Sequence, residues 1–242
     1  MMLAVLCFTW ACFSAGALAI HRVNRYADPL AKRERWIKYA VYLLTVHLFV
    51  GSALAGPAYF RALAMLIVIL GAYELLRVAF QNKGDGRAVW PVTMFSLGLY
   101  LALAYGLLLF SGQAKSETII FVYLVIVALD GFSQVIGELM GSHPLAPRLS
   151  PKKTVEGAVG GFAAAIITAV LLRSLAELSV SQALVAGFLL SAAGFIGDLS
   201  ASYFKRFHGV KDFGRIVPGH GGVLDRFDSL LAAAPTFLVW GR

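Results

Sequence analysis

The sequence predicts an all-α, polytopic integral membrane protein of about eight transmembrane helices, and three observations carry that prediction. The chain of 242 residues is 59% hydrophobic and only 14% charged, with a mean hydropathy of +0.77. A soluble domain is nearer a quarter charged. Its apolar runs recur at about 20 residues, the length of helix that crosses a bilayer core. No polar stretch between the runs is long enough to bury a core of its own.

The runs place spans at 2–20, 39–56, 60–80, 89–110, 118–139, 157–175, 182–204 and 223–240. We divide the one membrane domain into residues 1–117, with spans one to four, and 118–242, with spans five to eight and the polar loops. Span one ends in "SAGALA", which resembles a cleavage site. It lacks a basic segment before it, so we expect it to be retained. Its two cysteines, Cys7 and Cys12, point in different directions on a helix, which argues against a disulfide or a metal pair. The segment 21–38 reads as a solvated basic loop beside anionic headgroups. His47 reads as a packing residue, and Glu74 with Arg77 as a local pair with the arginine snorkelling.

The net charge is +8. In a soluble protein that balance suggests nucleic acid, but here topology explains it. With the N-terminus outside, all but four of the 21 Lys and Arg residues fall on the inner side, the four being Arg61, Lys115, Arg173 and Arg242. The positive-inside rule then places loops 140–156 and 205–222 in the cytoplasm. The expected location is the inner membrane of the cell, with the bilayer as a partner and no nucleic acid. The oligomeric state stays open, with a homodimer as one option.

Carboxylates inside spans are costly and need a reason. Asp130 sits mid-span in "VALDGFSQ", Asp198 in "FIGDLSASYFKR", and Asp225 and Asp228 open the last span. Asp198, Ser202 and Lys205 share one helix face by their i, i+4, i+7 spacing, as Asp225 and Asp228 do by i, i+3. A single such Asp is well explained by a packing ion pair. Four near one side, beside Lys205, Arg206, Lys211, Arg215 and Arg226, point to a phosphate-and-metal site. Carboxylate oxygens suit Mg²⁺, with a second cation as an option, and Lys and Arg suit the remaining phosphate charge. Gly219, Gly221 and Gly222 let backbone N–H groups approach an anion. In "SPKKTVEG", Lys152 and Lys153 precede span six, with Thr154 or Ser150 placed to cap it. The plainer reading of the two lysines is positive-inside anchoring. The sequence contains no GxxxxGK[ST], HExxH, CxxC or GxSxG pattern.

These residues resemble a known family, the phosphatidate cytidylyltransferases or CDP-diacylglycerol synthases. Its signature stands complete as Ser202, Lys205, Arg206, Lys211, Asp212, Pro218, Gly219, His220, Gly221, Gly222, Asp225, Arg226 and Asp228. A second block, "LAPRLSPKKTVEG", is similar to the family's loop before span six, and Asp130 and Gly137 fall where an upstream Asp and Gly fall. The chain departs from the pattern at Gln134, where an aromatic is usual, and at Glu138 and Ser142, where a base is usual. The resemblance implies that CTP and phosphatidate give CDP-diacylglycerol and pyrophosphate, with Mg²⁺. On that reading Asp130, Asp198, Asp225 and Asp228 are metal candidates. Lys205, Arg206, Lys211, Asp212, His220 and Arg226 are catalytic candidates. Ser150, Lys152, Lys153, Thr154, Ser202, Gly219, Gly221 and Gly222 are substrate-binding candidates. Two alternatives stand beside it: a CTP-dependent polyprenol or lipid kinase, and a transporter with an intramembrane Asp relay.

Overall fold

The structure is a computed structural model that describes residues 2–81, 89–217 and 221–241. Among these residues eight α-helices follow one another: α1 (Met2–Val23), α2 (Pro29–Ala55), α3 (Pro57–Gln81), α4 (Val89–Gln113), α5 (Ser116–Met140), α6 (Val155–Leu171), α7 (Val180–Phe207) and α8 (Leu224–Trp240). Five of them, α2, α3, α4, α5 and α7, are long and apolar enough to cross a membrane. Helix α6 is apolar but has only 17 residues. Helix α8, also of 17 residues, carries Asp225, Arg226 and Asp228 in its first turn and a half. The chain is an all-α membrane protein, as expected; of the eight expected spans five meet that length and hydropathy among the described residues, and α1, α6 and α8 are not among them.

Sequence chemistry sets the helix ends. Asp28 accepts hydrogen bonds from the Leu30 and Ala31 amides, and Pro29 opens α2 behind it. Helix α2 therefore begins ten residues before the expected span, and Lys32 to Lys38 are helical rather than part of a loop. Ser179 and Gln182 form a reciprocal capping box at the start of α7. The Thr154 hydroxyl accepts from the Gly157 amide (3.1 Å) and caps α6.

The polar stretch between α5 and α6 is an antiparallel hairpin, β1 (Pro144–Ala146) and β2 (Ser150–Thr154), with Pro144 opposite Thr154 and Ala146 opposite Ser150. Its base is closed by Glu156 in the first turn of α6, which accepts from the Ser142 and His143 amides (3.1 and 3.3 Å). No apolar alternation announces these strands of three and five residues, each with a proline, so the sequence read only a loop.

Helix α5 is the axis of the molecule. Over its apolar stretch 56% is buried, against 22% for α2. It packs most heavily on α6, and α7 packs on α8. Helices α3 and α4 close against α8, and α2 against α5, so both halves of the chain share one core. Phe49 of α2 stacks on Tyr123 of α5 at 3.6 Å between ring centres. Outward faces carry Ile69, Phe80, Phe95 and Leu101, all exposed. A lipid-facing surface is built this way, because backbone groups are satisfied within the helices and no polar cover is needed. Small residues permit the closest crossings. A side chain at Gly197 would sit 2.8 Å from the Asp228 carbonyl oxygen, so its absence lets α7 lie directly on α8.

Candidate active site

The crossing of α7 and α8 at Gly197 brings Asp198 beside Asp228, and α5 contributes Asp130 from the third side. These three carboxylates lie within electrostatic reach of one another, with Lys153, Lys205 and Arg226 around them. Asp130 accepts from the Ser229 hydroxyl (3.3 Å), and Asp228 from the Ser229 amide (2.8 Å). Lys153, on the second strand of the hairpin, forms an ion pair with Asp198 and lies 5.3 Å from the centre of the Phe195 ring. Ser202 is one turn beyond Asp198 and approaches its other carboxylate oxygen at 3.5 Å.

Asp225 is occupied differently. Its Oδ1 accepts from Lys205 Nζ (2.6 Å), and its Oδ2 accepts from the Phe213 and Gly222 amides (2.8 Å each). Both partners of the ion pair are buried, and the Lys205 ammonium also lies 5.2 Å from the Phe213 ring centre. Asp225 thus ties Lys205 of α7 and the Phe213 and Gly222 amides to the start of α8. Gly221 has φ +86°, a left-handed conformation natural to glycine, and a side chain there would press on Asp225 and Asp212. Across the base of the loop, the Val217 amide donates to the Gly221 carbonyl (2.8 Å).

Arg206 is exposed and holds two backbone carbonyls, Leu149 of the hairpin and Val210 of the loop, at 3.0 Å each. It ties the two polar segments together on one side of the molecule. Lys211 and Asp212 are exposed on the same loop, and Ser150 is half-buried at the start of β2. Gly219 and His220, like Pro218, Lys83, Arg87 and Arg242, lie outside the described residues.

Beside the three carboxylates is a cavity of about 440 Å³ between α1, α2 and α5. Asp130 and Arg226 line it, as do Lys152, Arg35 and Lys38. Phe8, Phe13, Leu124 and Val127 give it apolar walls. The polar rim of the cavity is mixed in charge, with Arg35, Lys38, Lys152 and Arg226 set against Glu34, Asp130 and Glu138, and Lys38 paired to Glu34 at 2.6 Å. The Nε of Arg226 is buried and makes no hydrogen bond to any of the described residues. Gln134 and Glu138, where the chain departs from the expected pattern, also line the cavity and hydrogen bond to each other at 3.0 Å.

Sequence reasoning missed one residue. Arg77 is exposed and within electrostatic reach of Glu74 of α3, as expected, but the close partners of Glu74 lie elsewhere. Its carboxylate is fully buried and accepts from the Val223 and Leu224 amides, at 3.0 and 2.8 Å. An acid mid-helix in an apolar run was the available signal; a partner about 150 residues away was not. His47 is as expected, held by the Leu43 carbonyl (2.8 Å) and set edge-on to Trp10.

A helical membrane protein with cations and carboxylates gathered at one crossing, beside a cavity that is charged in part and apolar in part, defines a class: enzymes and carriers that handle phosphorylated, lipid-borne ligands. Comparison with known proteins narrows it. A family model described as the Cytidylyltransferase family matches residues 107–241. The chain is 38% identical over 187 residues to the phosphatidate cytidylyltransferase of Brucella abortus strain 2308, covering 73% of this chain and 69% of that one. It is 43% identical over 203 residues to the phosphatidate cytidylyltransferase of Staphylococcus epidermidis strain ATCC 12228, covering 75% and 78%. To that of Staphylococcus haemolyticus it is 32% identical over 199 residues. The chain belongs to the cytidylyltransferase family.

Proposed function

We propose that the protein is a phosphatidate cytidylyltransferase, which joins CTP and phosphatidate into CDP-diacylglycerol and releases pyrophosphate. The observation that carries this reading is the gathering of Asp130, Asp198 and Asp228 with Lys153, Lys205 and Arg226 beside a cavity with apolar walls and a charged rim that includes Lys152 and Arg226. An acyl chain fits the apolar wall, and a phosphate fits beside Lys152 and Arg226 on the charged rim. The Nε of Arg226, a buried donor with no acceptor among the described residues, suits a ligand oxygen.

In the reaction an oxygen of the lipid phosphate attacks the α-phosphorus of CTP. The bond from that phosphorus to the bridging oxygen breaks, and pyrophosphate carries away the electron pair. A phosphate monoester is already nucleophilic near neutral pH, so no Ser or Cys nucleophile is required. The work of the protein is alignment and neutralisation of charge. Arg226 and Lys152 would hold the lipid phosphate from the cavity wall. Lys153 would exchange Asp198 for a phosphate oxygen of the nucleotide.

The donor chemistry fits Mg²⁺, which takes one or two carboxylates and completes its shell with phosphate oxygens and water. Among the described residues no three acidic, His or Cys side chains converge on a single ion position, so substrate phosphates would supply the rest. Asp198 and Asp228, with Asp130 behind them, are the residues that would hold it. When bound, the ion would neutralise charge on the phosphates as they react.

The site is proposed to face the cytoplasm. The charge bias supports that orientation, as does the Arg206 link that joins the hairpin and the α7–α8 loop on one side. Labelled CTP with phosphatidate vesicles tests the function. A label that moves to a cytidylyl lipid with release of pyrophosphate supports it. Release of CDP would favour a lipid kinase, and uptake without chemistry a transporter.

A further inference from the structure

We infer that Glu74 is a positioning residue for the reaction, holding the first turn of α8 in register with the active site from outside the region that the family match covers. This rests on the function proposed above. Helix α8 has no cap of its own, because its N-cap residue is Val223, whose side chain has no acceptor. Glu74 supplies the cap in trans. Each of its carboxylate oxygens takes one of the first amides of the helix. Its negative charge also meets the positive end of the helix dipole.

The fit is close on both sides. A Cβ at Gly214 would stand 2.5 Å from Glu74 Oε1, and one at Gly222 equally close. The carboxylate is therefore wedged between two glycines of the α7–α8 loop. Asp225 clamps the same loop from its other side through the Phe213 and Gly222 amides. Between them the two acids fix where α8 begins, and so where Arg226 and Asp228 stand relative to Asp198 and the cavity. Residues 107–241 match the family model; Glu74 lies on α3, before them.

Two variants of the purified full-length protein test this: Glu74→Gln, which keeps the shape but turns an acceptor into a donor facing an amide, and Gly214→Ala, which pushes the carboxylate aside. Hydrogen–deuterium exchange is read on peptides covering 208–224, with peptides from α5 and α6 as controls. Kinetics give kcat and KM for CTP and for phosphatidate. The expected result is exchange at Val223 and Leu224 at least about tenfold faster, controls unchanged, kcat about tenfold or more lower, and both KM values within about twofold. Unchanged exchange overturns the inference. So does fast exchange with wild-type kcat, and so does loosening spread evenly over all helices, which would mark a general role in folding. Should Glu74→Gln fail to insert, Gly214→Ala decides, and a wild-type result there overturns the inference. A wild-type protein that makes no cytidylyl lipid refutes the proposed function instead, and the exchange measurement then judges the clamp alone.

Discussion

Asp225 and Asp228 stand three residues apart on one helix and do different things. Asp225 is held by Lys205 and two backbone amides, so its removal strands a buried cation and opens the loop. Breaking a buried pair in this way costs about 3–5 kcal/mol. Asp225→Ala is expected to lower the melting temperature of the detergent-solubilised protein markedly. Asp228 lies beside Asp198 and Asp130, and Asp228→Asn is expected to leave melting nearly unchanged while turnover falls to near background. The i, i+3 spacing announced both acids but could not tell them apart, because what separates them is which amides fold back onto each. The two lysines of "SPKKTVEG" divide in a similar way. Lys153 pairs with Asp198, while Lys152 is exposed on the cavity wall. Losing a charge-assisted hydrogen bond costs about 1.5–3 kcal/mol, or about 10- to 150-fold in kcat/KM. Lys153→Ala is expected to show that loss for CTP, with Lys153→Arg intermediate because Arg does not reproduce a compact point charge. Lys152→Ala should act on the use of phosphatidate. Equal, near wild-type constants for both alanine variants would return the lysines to simple anchoring of the loop.

At the scale of elements, hydropathy and caps made the helices legible, and tertiary closure hid the rest. Apolar runs located all eight helices to within a few residues, except at the start of α2, where the Asp28–Pro29 cap carries the helix into a charged stretch. The hairpin before α6 escaped because its strands are short and proline-containing, without an alternating apolar pattern. Its function is nonetheless plain from position. It carries Lys153 to Asp198, and Thr154 anchors its end as the cap of α6. Thr154→Ala removes that cap and is expected to cost about 1 kcal/mol, seen as a modest fall in melting temperature. Because β2 runs directly into α6, the same variant should loosen the hairpin and raise exchange in 144–154 without altering α7. Equal protection in variant and wild type would show that the Glu156 closure suffices.

The hairpin stands against the end of α7, joined to it by Arg206, and the apolar core gathers around α5. The described signature residues from Ser202 to Asp228 lie together, as their sequence proximity suggested. Asp130, Lys153 and Glu74 join them only through packing, and for Glu74 no sequence pattern pointed to α8. Single-cysteine labelling in intact cells, in a background without Cys7 and Cys12, checks the orientation. Residues 142 and 214 should resist an impermeant reagent from outside, and ready labelling would invert the topology. The most direct test of the central claim is product identification with purified protein, [α-³²P]CTP and phosphatidate vesicles. The expected result is label in a lipid that is CDP-diacylglycerol, with one pyrophosphate released for each lipid labelled and the activity lost in Asp228→Asn. Label that stays in soluble CTP, or leaves as CDP while the lipid gains an unlabelled phosphate, would contradict it.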